Sequence, residues 1–71
     1  MGMPLAMLNA GETKMIVKIG GKDKTKQFLE SLGFVEGAHV SVVSEFSGNL
    51  IVNIKDTRVA IDKAMAMRIF V

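Results

Sequence analysis

The chain has 71 residues, 49% hydrophobic and 23% charged, a balance suited to one folded domain with no room for a second. It has no cysteine and one histidine, which excludes disulfides, iron–sulfur clusters and cysteine-based zinc sites, so packed aliphatics must hold the fold. Nine Lys+Arg against seven Asp+Glu leave a net charge of only +2, and four Phe with no Trp or Tyr make a poor stacking platform, so nucleic acid is not the expected partner.

In chain order, residues 1–8 are apolar but too short to cross a bilayer, which takes roughly 20 residues. They carry no basic leader, and the expectation is a cytoplasmic domain without direct membrane insertion. Asn9-Ala10-Gly11-Glu12 reads as a turn. Met15-Ile16-Val17-Lys18-Ile19 is predicted as a first strand, closed by Gly20-Gly21. A helix follows, capped by Asp23, with Thr25, Phe28, Leu29 and Leu32 on one stripe. Gly33 ends it, and Phe34 folds back onto Leu29. From residue 38 to 46 the period is two, with Val40, Val42 and Phe46 on one face and His39, Ser41, Val43 and Glu45 on the other. Ser47-Gly48-Asn49 turns the chain into a return strand carrying Leu50, Val52 and Ile54. After Lys55-Asp56 comes a strand with Thr57, Val59 and Ile61 inward and Arg58 and Ala60 outward. Asp62 caps one helical turn over 63–67, and residues 68–71 form the last strand. About five short antiparallel strands, one helix and a C-terminal helical turn predict a mainly β fold, a small curled sheet or barrel whose closure would remove open edges, with an open α+β sheet carrying the helix across one face as the alternative.

The sequence offers little to catalysis. One imidazole leaves few options for a nucleophile–His–acid relay, and the acids are scattered. Gly20-Gly21-Lys22-Asp23-Lys24-Thr25 joins a strand to a helix, but a phosphate-binding loop needs Ser or Thr directly after Gly-Lys and a further Gly, where this chain has Asp23 and Ile16. Lys22, Lys24 and Lys26 at the helix entrance still offer a positive surface to an anion or acidic partner, although a capping Asp23 would occupy the same amides. His39 is the one nominated metal ligand, with Glu45 or Asp56 as companions, and no ligand cluster or cofactor is expected. The six methionines read as core filling. Val43, Ile51 and Phe70 fall on the outward phase of their strands, and if they converge they form a partner-binding patch.

Leu32-Gly33-Phe34-Val35-Glu36-Gly37, taken with Pro4-Leu5, Leu8 to Glu12, Val17 to Gly21, Arg58-Val59-Ala60-Ile61 and Ala66 to Val71, resembles the ferrous iron transport protein A (FeoA) family. The resemblance covers nearly all of residues 1–71 as a single domain. It implies an SH3-like barrel and an accessory role beside the membrane GTP-dependent ferrous iron transporter, FeoB, docking on its cytosolic region. It also implies a family-level association with transition metal ions. Two other readings stay open: an SH3-like metal-sensing domain related to metal-dependent repressors, and a small nucleic-acid-binding barrel. Oligomeric state is left between monomer and weak oligomer.

Overall fold

The computed structural model describes residues 2–71. A short 3-10 turn (Leu5–Met7) is followed by β1 (Thr13–Met15), β2 (Lys18–Ile19), α1 (Lys24–Ser31), β3 (His39–Phe46), β4 (Asn49–Ile54), β5 (Thr57–Asp62), α2 (Lys63–Ala66) and β6 (Ile69–Phe70). The strands form two antiparallel sheets, one ordered β1-β3-β4-β5 and the other pairing β2 with β6. The N-terminal segment borders the second sheet: Pro4 bridges Phe70, and Met3 and Val71 exchange both main-chain hydrogen bonds at 2.9 and 2.8 Å.

The first predicted strand is two strands in two sheets. Ile16 is bonded to the loop before β3, its N–H donating to Ala38 and its C=O accepting from Gly37, while the next N–H, of Val17, donates to Phe70 in the other sheet. The chain thus changes sheet between residues 16 and 17. A continuous β-branched run conceals such a corner, because both halves bury a side chain, Ile16 and Ile19.

Helix α1 begins and ends as its sequence directs. Asp23 accepts a hydrogen bond from the Lys26 N–H. At the other end Gly33 takes φ +108°, its N–H donates to Glu30, and the Phe34 N–H donates to Leu29, the paired bonds of a Schellman cap. Leu29 and Phe34 are fully buried together. Phe28, predicted on the same stripe, is 49% exposed. The helix touches the core along Thr25, Leu29 and Leu32, and Phe28 stands about 100° around the axis from Leu29.

The two hairpins of the larger sheet close as two-residue turns. Ser47 and Gly48 join β3 to β4, and Lys55 and Asp56 join β4 to β5, all four with positive φ. Between Val42 and Ser44 the register shifts, so that Val43 and Ser44 together oppose Ile51. The extra residue reverses the phase of the rest of β3. Val40 and Val42 are buried as expected, but Phe46 is turned to the outer face, 72% exposed.

The core is apolar throughout, and no polar side chain is buried among the described residues. Methionine contributes little to it. Met65 packs against the core, whereas Met3, Met7, Met15 and Met67 are exposed; Met1 lies outside the described residues. The expectation of core filling is corrected by position: Met15 pairs with His39 on the outer face of the sheet, and Met67 lies at the C-cap of α2. Closure is partial too, since β1 and β5 remain edges of the four-stranded sheet. No helix among the described residues is long and apolar enough to cross a membrane.

Candidate partner-binding surfaces

The helix entrance is organised by Asp23. Gly21 takes φ +89°, and this turn brings Asp23 to the guanidinium of Arg68, with Nη1–Oδ1 2.6 Å and Nη2–Oδ2 3.0 Å. The same carboxylate caps the Lys26 N–H. These bonds, the Arg68 contact foremost, hold the Asp23 carboxyl down at about 2, and Asp23 in turn keeps Arg68 more firmly protonated. An anion approaching this helix end therefore meets a carboxylate already seated on the Lys26 amide. Lys22 and Lys24 are exposed around that ion pair, while Lys26 is half-buried and lines a separate shallow groove with Lys18, Glu30 and Glu36. The three lysines are divided between two surfaces.

His39 is exposed on the outer face of the larger sheet, where it lines a depression of about 600 Å³. Ser41 and Asn53 lie opposite one another in that depression, and Lys55 and Asp56 of the turn also line it. Of the two acids considered for His39, Asp56 shares its depression. Glu45 is at the far end of β3 and pairs instead with Lys63 at 3.0 Å. No group of three or more His, Cys, Asp or Glu converges among the described residues. One imidazole with one carboxylate falls short of the three or four ligands that hold a transition metal.

The outward apolar residues are split between the sheets. Val43 and Ile51 are half-buried on adjacent strands of the larger sheet, in a row that continues through Ala60. Phe46 extends this apolar surface toward the β3–β4 turn. Phe70 belongs to the smaller sheet, flanked by Lys18 and Pro4. The most exposed aromatic, Phe46, escaped the sequence reading because neither Val43 nor Ser44 marks a bulge. The Asp23–Arg68 pair escaped it because its partners are 45 residues apart.

Comparison with known proteins follows the same outline. The family model for the FeoA domain matches residues 3–71. A protein of Methanocaldococcus jannaschii named "Putative Fe(2+) transport protein A" is 32% identical over 68 residues, covering 96% of this chain and 83% of that protein. A crystal structure of an iron uptake regulatory protein (FeoA) superposes with a TM-score of 0.89 at 30% identity, covering 99% of this chain and 95% of the other. The Stenotrophomonas maltophilia FeoA complexed with zinc, described as a procaryotic SH3 domain protein, superposes with a TM-score of 0.84 at 26% identity, over 94% of this chain and 86% of that one. The mainly β architecture is that of these SH3-like neighbours.

Proposed function

This chain belongs to the FeoA domain family, and from that premise we propose that it is a cytoplasmic, non-catalytic accessory protein of ferrous iron uptake that docks on the cytosolic region of a membrane GTP-dependent iron transporter. The observation that carries the reading is the family match across residues 3–71. A second observation suits docking rather than chemistry: the outer face of the larger sheet exposes an aromatic, Phe46, beside the half-buried Ile51 and Val43. An exposed Phe costs a free domain solubility, and a rigid aromatic on a sheet face is a common anchor for a partner. Lys22 and Lys24, at the helix entrance, give a separate positive surface that an acidic partner would complement, with Lys26 and Phe70 as secondary contacts on their own surfaces. Iron in this reading is the transporter's cargo, and His39 is not required to hold it.

Titration of the folded chain against the isolated cytosolic region of the transporter, followed by calorimetry or amide shifts, tests the proposal. Binding in the micromolar range is expected, with the largest shifts along residues 43–51 and loss on Phe46→Ser or Ile51→Ser. No binding at high micromolar concentration by a folded chain would sink it.

A further inference from the structure

Strand β5 is an open edge of the larger sheet, and its hydrogen-bonding phase is fixed by the turn before it. The two-residue loop at Lys55-Asp56 makes Ile54 and Thr57 the closing pair, so Thr57, Val59 and Ile61 bond to β4 through Ile54, Val52 and Leu50. The alternating residues Arg58, Ala60 and Asp62 then direct their main-chain N–H groups away from the sheet. No other main-chain hydrogen bond among the described residues engages Arg58 or Ala60. Edges are protected against pairing by a proline, a bulge or charged side chains that repel an incoming strand. β5 has no proline, its register against β4 is unbroken, and its two outer charges are opposite.

We propose that β5 is a self-complementary edge to which a second copy of this chain adds antiparallel, on a two-fold axis through Ala60. In that register the two Ala60 residues exchange hydrogen bonds, and Arg58 faces the second copy's Asp62 twice over. Val59, half-buried in one copy, is covered by the second copy's Ile61, which continues the apolar inner face across the junction. The alternatives are poorer on charge alone. Sliding by two residues sets Arg58 or Asp62 against alanine, and sliding by four sets arginine against arginine or aspartate against aspartate. Arg58 is free to serve, since its one side-chain hydrogen bond among the described residues is a long 3.4 Å contact to Asn53, and Asp62 spends Oδ1 on the Met65 N–H and keeps Oδ2 for the second copy. The small Ala60 at the axis lets the outer surfaces meet without a clash. This assembly uses the edge of the sheet and is independent of the docking reading, which uses its face.

Sedimentation equilibrium of the full chain, from micromolar to millimolar concentration at low salt, tests the proposal without any transporter present. A reversible rise toward twice the monomer mass is expected, weakening as salt screens the paired charges. Arg58→Glu weakens association about tenfold or more by setting like charges opposite one another, and Asp62→Lys does the same while also removing the cap on the Met65 N–H. An equimolar mixture of these two variants regains it, because each then meets its complement, and that recovery also reports that both are folded. Ala60→Pro, which removes an N–H facing away from β4, abolishes association while circular dichroism stays native. A chain that remains monomeric to millimolar concentration overturns the proposal. So does a dimer that survives Arg58→Glu or Ala60→Pro, since its interface lies elsewhere.

Discussion

The guanidinium of Arg68 grips the carboxylate of Asp23 through two parallel hydrogen bonds of 2.6 and 3.0 Å, tying the start of α1 to the turn that leads into β6. The residues are 45 positions apart, and Asp23 simultaneously caps the helix. One exposed side chain thus joins a local signal to a long-range one. The planar fork of arginine suits this bidentate contact, so Arg68→Lys keeps the charge but loses the paired geometry.

The acid limb of stability follows from this pair. The Asp23 carboxyl is lowered in the folded protein from 3.8 to about 2, so its contribution is present above the unfolded value and is lost as pH falls through the folded one. Denaturant midpoints measured from pH 5 to pH 2 decline most steeply between about 4 and 2. Asp23→Asn flattens that decline and leaves the slope above pH 5 unchanged.

Gly21 and Gly11 offer a controlled comparison. Both have φ near +90°, so alanine at either costs about 1–2 kcal/mol in backbone strain. A Cβ at Gly11 meets nothing within 4 Å, whereas one at Gly21 comes 2.7 Å from Nη1 of Arg68. Gly21→Ala is therefore more destabilising than Gly11→Ala in equilibrium unfolding, because it pushes the guanidinium off Asp23. The excess disappears in an Asp23→Asn background, where the link is already broken.

The turn at Lys55-Asp56 holds two non-glycine residues at φ +50° and +62°. Such a turn favours Asn-Gly, and Asp56→Gly relieves a left-handed residue at the cost of some unfolded-state freedom. The substitution raises stability by about 0.5–1 kcal/mol, seen as an increase in Tm of a few degrees. Lys55 is better kept, because its side chain lies beside Gly33 at the end of α1.

Two phenylalanines separate stability from recognition. Phe34 is fully buried against Leu29, and Phe34→Ala costs about 3–5 kcal/mol, enough to unfold much of a domain this small. Phe46→Ser, at a 72% exposed site, stays within about 0.5 kcal/mol in thermal denaturation while removing the apolar anchor of the outer face.

Sequence reading succeeded wherever a local signal had a local cause. Asp23, Gly33 and Phe34 defined α1, Ser47-Gly48 defined the first hairpin, and Asp62 defined α2 through its 2.8 Å bond to the Met65 N–H. It failed where the cause was distant or unmarked. The run from Met15 to Ile19 hides a change of sheet that only the partners Ala38 and Phe70 impose. Val43 inserts a bulge without a glycine to announce it, and so Phe46 lies on the face opposite to the one that strict alternation predicts. Among the candidate surfaces, Val43 and Ile51 do lie on adjacent strands, but Phe70 is drawn into the smaller sheet by Lys18 and Pro4. The lysines separate because the half-turn from Lys24 to Lys26 rotates one of them toward a different groove.

Met3 and Val71 share a pair of main-chain hydrogen bonds, so the start and finish of the described chain lie side by side. The order in which the strands are threaded is therefore separable from the barrel they build. A short flexible linker between these ends, with new termini opened at the exposed Ser47-Gly48 turn, gives a circular permutant with both sheets in place. In that rearranged chain β6 reaches β2 through the linker, the 3-10 turn and β1, so the smaller sheet closes a shorter loop than it does in the original order.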